Sequence, residues 1–435
     1  MILPGDTIVL AFSGGKDSLT LLLLLQELRR DIDFDLLAAY FNHHIREDAG
    51  REETWVKNFC ASREIPLRVG GGDVPAVKAR ERLNLEEAAA MMRTRFFKEV
   101  AAPLPGAKIA TAHQRTDLVE TFFIKLFRGS GSQGLSALFE SIGEKIVRPL
   151  LIFSEEDIRG FLTRNRIDYY RDYTNEEEKF LRNRIRRHLL PEMKKLSPQI
   201  ETHVAQTVSL LQEEYAYFSG LAAKFLSDTL ILKRVLPVKP LADCPLALQR
   251  HILREYIRLL KGDLREIDFS HINGLLEHIH TRKGMAIPGI ELKFQKGYIF
   301  PHDFSIPAYT YRVDLGQSIY LEEIEKWLTV EETDHFEKPP DHWEMLAPLL
   351  AVRFPLTIRS PLATDAYVKM NAAFPQTVFE MIRIAGFPVR LRSLCPVVVD
   401  AAGRVTWVAG SPLAGSFKVV TAMPGPFVRI RCTGR

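Results

Sequence analysis

The chain has 435 residues, 46% of them hydrophobic and 26% charged, and a formal net charge of +4 at pH 7. This length is too great for one compact core, so we expect two or three domains. The four cysteines are widely spaced and form no CxxC pair, which argues against a zinc site, an iron–sulfur site or a disulfide framework and favours a reducing cytoplasm. The longest apolar stretch, residues 19–25, is too short to span a bilayer, and residues 1–6 lack the basic region of a signal peptide.

The first part of the chain alternates predicted strands with predicted helices. Apolar β-type runs predict strands at residues 7–12, 35–41, 66–69 and 108–112. Helical patterns cover residues 19–28, 52–63, 84–100 and 117–127. This alternation predicts an α/β fold with a parallel sheet and helices on both of its faces. In such sheets the ligand lies at the carboxyl ends of the strands.

The turn between the first strand and the first helix has the sequence Ser13-Gly14-Gly15-Lys16-Asp17-Ser18. Two glycines allow positive φ and a close approach of the backbone to a ligand, and the N–H groups of the first helical turn then face an anion. The loop is not the GxxxxGK[ST] phosphate loop, because no glycine precedes the Gly-Lys pair at that spacing. The alternative is an ordinary turn in which Asp17 and Ser18 cap the helix. The strand–turn–helix context favours the anion site.

Two other strand ends carry polar side chains. Asn42, His43 and His44 follow the second predicted strand, and His113 follows the fourth. Because the carboxyl ends of parallel strands share one edge of the sheet, we expect these residues and the loop around one cleft. For His43, an ordinary loop position is as good an interpretation as a direct role.

The rest of the chain has a different pattern. Residues 154–165 predict a helix with an N-cap and acids in its first turn, and residues 200–300 consist mainly of amphipathic helices. A linker at residues 337–341 precedes short predicted strands at 352–358, 395–399 and 405–409. We therefore predict an α/β domain at residues 1–195, a mainly helical domain at 196–340 and a small α+β domain at 345–435.

A basic run covers residues 179–195, where seven lysines or arginines stand against one glutamate. Most charge runs are solvated helix faces. Arg182, Arg186 and Arg187 nevertheless fall near one side of a helix, which favours contact with the phosphates of a nucleic acid.

Together these motifs resemble the tRNA(Ile)-lysidine synthase family of the PP-loop ATP pyrophosphatase superfamily. The resemblance is carried by the SGGKDS loop, Asn42-His43, residues 110–121, Arg148-Pro149-Leu150 and Arg182-Asn183-Arg184-Ile185-Arg186. It implies a PP-loop domain of the adenine nucleotide alpha hydrolase type. It also implies a two-step reaction on an isoleucine tRNA with the anticodon CAU. ATP adenylates the oxygen on carbon 2 of the wobble cytidine and releases pyrophosphate, and free lysine then displaces AMP to give lysidine.

The resemblance also implies roles for individual residues. The implied ATP-binding residues are Ser13, Gly14, Gly15, Lys16, Asp17 and Ser18, with Asp17 as a ligand of Mg²⁺. The implied catalytic or substrate-binding residues are His43, Arg93, His113, Asp117, Glu120 and Arg128. Of these, Asp117 and Glu120 would bind an ammonium of lysine, His113 would contact nucleotide or accept a proton, and Arg128 would contact a phosphate.

The implied tRNA-binding residues are Arg182, Asn183, Arg186 and Arg187, with a further tRNA contact in the C-terminal domain. The implied partners are the tRNA and free lysine. We also expect a homodimer.

Simpler interpretations stay open for several of these residues. Asp117 is also an N-cap candidate, and Glu120 three residues later would complete a capping box. Arg128 is also explained as a cation at the C-terminal end of a helix, where the helix dipole favours positive charge. Two functional alternatives also remain: a PP-loop ligase that acts on another base or on a small molecule, and an RNA-binding paralogue that holds ATP without turnover.

The chain also departs from the family's motifs. The usual HxxDDQxET motif is changed at Thr116 and Leu118, and a helix motif is changed at Ala90 and Thr94. The C-terminal Gly-Asp-Arg reads Thr364-Asp365-Ala366, and only Lys369 stands near the position of a lysine-rich segment. These changes weaken the predicted pairing of two acids and the predicted C-terminal tRNA contact.

Overall fold

The computed structural model describes residues 1–43, 49–81, 85–136, 138–139, 141–142, 145–169, 181–281, 285–368, 374–411 and 425–434. His44, Lys179 and Lys369 lie outside these residues. The chain forms two compact units, Met1–Tyr217 and Phe218–Arg435. The division into three domains stays a prediction.

The first unit alternates strands and helices from its start. Its elements are β1 (Thr7–Ala11), α1 (Lys16–Leu28), β2 (Asp35–Asn42), α2 (Ala49–Ser62), β3 (Leu67–Gly71), α3 (Val74–Glu81), α4 (Leu85–Ala101), β4 (Ala107–Ala110), α5 (Arg115–Phe127), α6 (Ser132–Leu135), β5 (Ser141–Ile142), β6 (Ile146–Val147), α7 (Glu155–Arg164), α8 (Leu181–Arg184), α9 (Leu190–Leu196) and the first part of α10 (Ile200–Thr229), which continues into the second unit. A π-helical turn, Ile185–Leu189, joins α8 to α9.

The sheet of this unit confirms the predicted α/β fold. Its strand order is β3-β2-β1-β4-β6-β5, and all neighbouring strands are parallel except the short pair β5–β6. The predicted strands match β1 to β4 within two residues at each end. The two-residue strands β5 and β6 were not predicted, because so short a segment shows no periodicity.

Apolar side chains from the sheet and its helices form the core of the first unit. Leu19, Leu22 and Leu25 of α1 are buried together with Leu10 of β1 and Ile158 of α7. Each fully buried leucine stabilises the fold by roughly 1.5–3 kcal/mol. This packing holds α1 and α7 on the sheet and so places the starts of both helices near the carboxyl ends of the strands.

The second unit begins with helices and ends with strands. Its further elements are β7 (Leu236–Pro237), α11 (Val238–Ala242), α12 (Leu246–Lys261), α13 (Phe269–Thr281), β8 (Met285–Ile287), β9 (Ile290–Gln295), β10 (Tyr298–Pro301), β11 (Thr310–Val313), β12 (Ser318–Leu321), β13 (Lys326–Thr333), β14 (Glu344–Pro348), β15 (Leu356–Arg359), β16 (Ala366–Tyr367), β17 (Gln376–Thr377), α14 (Val378–Ile384), β18 (Val397–Val399), β19 (Val405–Val408) and β20 (Phe427–Gly434).

The helices predicted for residues 200–300 are confirmed by α10 to α13, and the structure adds an antiparallel sheet of order β7-β10-β9-β8. The C-terminal strands form two four-stranded sheets, β11-β15-β18-β19 and β12-β13-β20-β14, beside a short pair. Asp365, one of the departures from the family motif, accepts two hydrogen bonds from Arg359, at 2.7 and 2.6 Å.

All four cysteines are free thiols. Within the described ranges, no helix is both long enough and apolar enough to cross a membrane.

Candidate active site

A cavity of about 370 Å³ opens at the carboxyl edge of the parallel sheet in the first unit. The predicted site residues that line it are Ser13, Gly15, Asp17, Ser18, His43, Arg93 and His113. They come from the loop after β1, from the ends of β2 and β4, and from α4. The prediction that several strand ends meet at one cleft is therefore confirmed for the described residues.

The loop between β1 and α1 is shaped by its glycines and by one hydroxyl. Gly14 has φ +77°, and a Cβ there would meet the Trp55 ring at 3.1 Å and the Val56 methyl at 3.2 Å. The Ser13 N–H donates to Ser18 Oγ at 3.2 Å, and Ser18 Oγ donates to the Gly15 carbonyl at 3.0 Å. Gly15 precedes α1 and has no side chain to cap its first-turn N–H groups, which stay available to an anion.

Gly14→Ala is expected to lower the free energy of unfolding by about 1–2 kcal/mol and to impair ATP binding, because it combines a left-handed backbone with a tight side-chain contact. Gly5→Ala is the matched control, since Gly5 has φ +83° and open space around it. Chemical denaturation and nucleotide titration measure both effects. Equal losses in the two variants would show that backbone strain alone is responsible.

Lys16 and Asp17 open α1 within a group of charges. Lys16 Nζ lies 3.1 Å from Asp17 Oδ1 and 3.3 Å from Glu155 Oε1. Burial raises the pKa of Asp17 despite the neighbouring Lys16, and the charges of Asp117 and Glu155 raise it further. Asp17 is therefore the carboxylate whose charge a bound cation would stabilise. Glu155 differs, because burial opposes its ionisation but Lys16 and Arg159 lower its pKa overall.

Glu155 was not predicted as a site residue. Its position in the acidic first turn of α7 is fully explained by the helix dipole, so the sequence holds no signal that α7 starts beside the loop.

The Asp17 carboxylate fits the preferences of Mg²⁺, which takes hard oxygen ligands and is commonly held by one or two carboxylates together with substrate phosphates. Among the described residues there is no cluster of three or more His, Cys, Asp or Glu that would hold a metal by itself. Asp17 together with phosphate oxygens is thus the donor set that the residues favour.

His113 lies after β4 and faces the cavity. Its Nδ1 is 2.9 Å from Thr111 Oγ1. Burial lowers the pKa of His113 to about 4. The charge of Asp117 opposes this, and the charges of Arg148, Arg182 and Arg93 act in the same direction as burial. The imidazole is therefore neutral near pH 7.

We expect His113 to show no titration between pH 6 and 8, because its pKa is lowered from 6.5 to about 4. The unfolded chain binds this proton below about pH 6.5 and the folded chain only near pH 4. The stability contributed by the neutral imidazole is thus present above pH 6.5 and lost as the pH falls towards 4. Imidazole NMR titrations of the wild type and His113→Gln test this. A resonance with a midpoint near 6.5 that disappears in the variant would contradict it.

Arg148 is a cavity residue that was noted only as part of a family motif. It follows β6, lines the cavity and donates from Nη1 to the Phe139 carbonyl at 2.6 Å. Because β6 has only two residues, the sequence does not reveal that Arg148 stands at a further strand end. Its charge adds to that of Arg93 and makes this wall of the cavity suitable for phosphate.

Asp117, Glu120, Arg182 and Arg186 form one ion-pair group, here called the acid–arginine cluster. Glu120 is 0% exposed; its Oε2 accepts from Arg182 Nε at 2.7 Å and its Oε1 from Arg186 Nε at 2.5 Å. Asp117 Oδ1 lies 3.2 Å from Arg182 Nη2 and 3.5 Å from Arg186 Nη2. Burial acts to lower the pKa of Arg186, but its hydrogen bond to Glu120 and the nearby acids raise it overall.

The structure corrects the capping interpretation of these acids. Helix α5 begins at Arg115, so Gln114 and not Asp117 is the N-cap. Asp117 still stabilises the start of α5, because its Oδ2 accepts a hydrogen bond from the Gln114 N–H at 3.0 Å. Glu120 belongs to no capping box and is committed to the two arginines instead.

Packing of α8 and α9 against α5 brings the cluster together. Ile185 and Leu190 are buried in one apolar group with Leu118, Val119 and Phe123 of α5. Leu118, a departure from the family motif, is thus a core residue here. Asn183 is half-buried and Arg187 exposed on the same segment.

Thr116, the other departure in this motif, donates from Oγ1 to Glu201 Oε1 at 3.2 Å. Lys194 Nζ lies 3.1 Å from the other oxygen of Glu201. An aspartate at position 116 would place a second carboxylate beside Glu201, so threonine avoids a like-charge contact.

Arg128 is exposed at the C-terminal end of α5 and is not one of the residues that line the cavity. This position agrees with its alternative role as a helix-terminal cation. A phosphate contact by Arg128 stays a prediction.

Comparison with known proteins agrees with this site. The PP-loop domain family matches residues 3–193. The chain is 35% identical to tRNA(Ile)-lysidine synthase of Geobacter sulfurreducens over 281 residues. This match covers 63% of this chain and 59% of that protein. The chain is also 27% identical to tRNA(Ile)-lysidine synthase of Geobacillus kaustophilus over 429 residues. This second match covers 94% of this chain and 92% of that protein.

The chain belongs to the tRNA(Ile)-lysidine synthase family of PP-loop proteins. The match to the Geobacter relative spans about three fifths of that protein, whereas the match to the Geobacillus relative spans nearly all of it. A solved TILS C-terminal domain is also similar, with 19% identity and a TM-score of 0.28, over 29% of this chain and 98% of that domain.

Proposed function

We infer that this protein is an ATP-dependent ligase that joins lysine to carbon 2 of the wobble cytidine of an isoleucine tRNA with the anticodon CAU. Membership of the tRNA(Ile)-lysidine synthase family carries this proposal. The intact SGGKDS loop on a cavity lined by Arg93, His113 and Arg148 supports it. The products are lysidine, AMP and pyrophosphate.

In the first step the cytidine oxygen attacks the α-phosphorus of ATP, an O–P bond forms, and the bond to pyrophosphate breaks. The first-turn N–H groups of α1, the Lys16 ammonium and the arginines of the cavity stabilise the negative charge of the triphosphate. Asp17 would hold Mg²⁺ with the phosphates, and this ion would neutralise charge on the leaving pyrophosphate.

In the second step an amine of lysine attacks carbon 2 of the cytidine and AMP leaves. The amine must be neutral to attack, and His113, which is neutral in the physiological range, would accept the proton that the nitrogen loses as the C–N bond forms. Asp117 and Glu120 would hold a charged ammonium of lysine. No covalent enzyme intermediate is needed, because the adenylated base is itself the activated species.

Contact with the tRNA is assigned to Arg182, Asn183, Arg186 and Arg187 and to the C-terminal unit. We also propose that the protein acts in the cytoplasm as a homodimer. Light scattering of the purified protein at several concentrations tests the dimer.

The decisive experiment incubates the protein with ATP, Mg²⁺, labelled lysine and a transcript of isoleucine tRNA with the anticodon CAU. Methionine tRNA is the control, because it has the same anticodon. ATP-dependent label in the isoleucine tRNA alone supports the proposal. AMP and pyrophosphate without label would point to another substrate, and tRNA binding without any nucleotide turnover would point to a non-catalytic paralogue.

A further inference from the structure

The acid–arginine cluster places two sets of residues with different expected partners in direct contact. Glu120 and Asp117 are the acids assigned to the lysine ammonium, whereas Arg182 and Arg186 are assigned to phosphate. In the structure they bind each other: both oxygens of Glu120 accept from guanidinium nitrogens at 2.5 to 2.7 Å. Because Glu120 is also fully buried, an amine from solvent does not reach these oxygens in this arrangement.

We propose that Arg182 and Arg186 form a latch that closes the amine-binding acids until a phosphate group draws the guanidiniums away. The proposal rests on the proposed function, since it takes the amine substrate from there. The ligand chemistry that opens the latch is a phosphate oxyanion, which either ATP or the tRNA backbone supplies.

The exposure of the side chains in the cluster indicates which of them can leave their partners. Glu120 is fully buried, but the side chains of Arg182 and Arg186 are 42% and 38% exposed. A phosphate can therefore approach the outer side of each guanidinium and bind it with strong charge-assisted hydrogen bonds. The carboxylates cannot move to solvent, so the arginines are the mobile partners.

Charge balance links the opening of the latch to the amine. A buried carboxylate that loses its cation is strongly destabilised. The arginines are thus released at little cost only when another cation, the lysine ammonium, takes their place. Phosphate on the arginines and ammonium on the acids then favour each other, which is positive coupling between two ligands.

The cluster does not line the cavity, but it acts electrostatically on residues that do. The charge of Arg182 acts on both Arg93 and His113, which line the cavity. Arg186 also lies on the basic segment that follows Leu181. ATP in the cavity and RNA on the segment are therefore both candidates, and the experiment separates them.

The test measures the Kd of lysine by calorimetry for the full chain alone, with a non-hydrolysable ATP analogue and Mg²⁺, and with the tRNA transcript. Coupling between sites typically changes affinity 5- to 150-fold, and we expect lysine to bind about tenfold more tightly in at least one of the two phosphate arms. The arm that does so identifies the phosphate source. The same Kd in all three conditions would overturn the latch, whatever the outcome of the labelling assay.

The variant Arg182→Gln with Arg186→Gln removes the latch. It should bind lysine without phosphate about as tightly as the wild type does with phosphate, and the coupling should vanish. Arg184→Gln is the matched control, because Arg184 lies on the same segment and is exposed. Loss of coupling in this control as well would count against the assignment to Arg182 and Arg186.

Glu120→Gln provides a second test that needs no lysine and keeps the volume of the side chain. Freed from their buried partner, the arginines should bind the phosphate source about tenfold more tightly than in the wild type. Glu156→Gln, an exposed acid in the first turn of α7, controls for the change in net charge. Unchanged phosphate affinity in Glu120→Gln would refute the latch. Increased affinity would support the latch, because it would show that Glu120 competes with phosphate for the two arginines.

Discussion

Asp17→Ala is expected to reduce tRNA-dependent pyrophosphate release by about 10³-fold, the size of effect found when one preorganised charge-stabilising group is removed. The residue lies in the first turn of α1 beside the loop and within the cavity wall. It is the one carboxylate of the SGGKDS loop. Without it, the triphosphate loses its metal-binding carboxylate.

The fold should survive this change. Burial and the charges of Asp117 and Glu155 raise the pKa of Asp17, so the ionised carboxylate is less favourable in the folded chain than in water. Its removal should leave the free energy of unfolding unchanged or slightly increased. A strong loss of activity with no loss of stability is typical of a group that serves the reaction.

A coupled enzyme assay for pyrophosphate, run beside chemical denaturation, measures both quantities. Asp17→Asn keeps the size of the side chain and isolates the charge, and Glu156→Gln is the exposed control. Turnover by Asp17→Ala within tenfold of the wild type would remove Asp17 from the metal and phosphate site.

Glu120→Gln is expected to raise the KM for lysine by about 10- to 100-fold without raising the KM for ATP. A hydrogen bond to a charged group contributes about 1.5–3 kcal/mol, and the amide cannot offer the negative charge that an ammonium needs. The amide has nearly the same volume, so packing around the buried position should be kept.

Steady-state kinetics with each substrate varied in turn test this second prediction. Asp117→Asn should show a smaller rise in the KM for lysine, because one oxygen of Asp117 already accepts the Gln114 N–H. An equal rise in the KM for lysine and for ATP would indicate that Glu120 only holds the arginines. Unchanged kinetics with a lower melting temperature would indicate a purely structural ion pair.

Reliable predictions from the sequence were those that depend on residues close together in the chain. The β1–loop–α1 segment, the strands β2 to β4 and the helices between them are set by local periodicity and by glycine. These signals also place Ser13, His43 and His113 at one edge of the sheet, because parallel strands with helical crossovers point the same way.

The sequence by itself therefore determined the α/β fold of the first unit, the anion-binding loop and the edge at which the site lies. Only the tertiary structure decided the partners of the charged residues. Arg182 and Glu120 are 62 residues apart in the chain, and their pairing depends on how Ile185 and Leu190 pack against α5. Glu155 and Arg148 enter the site for the same reason, through the packing of α7 and the register of β6. Charge runs and helix caps look alike in sequence whether they face solvent or a buried partner, because burial is a property of the folded chain.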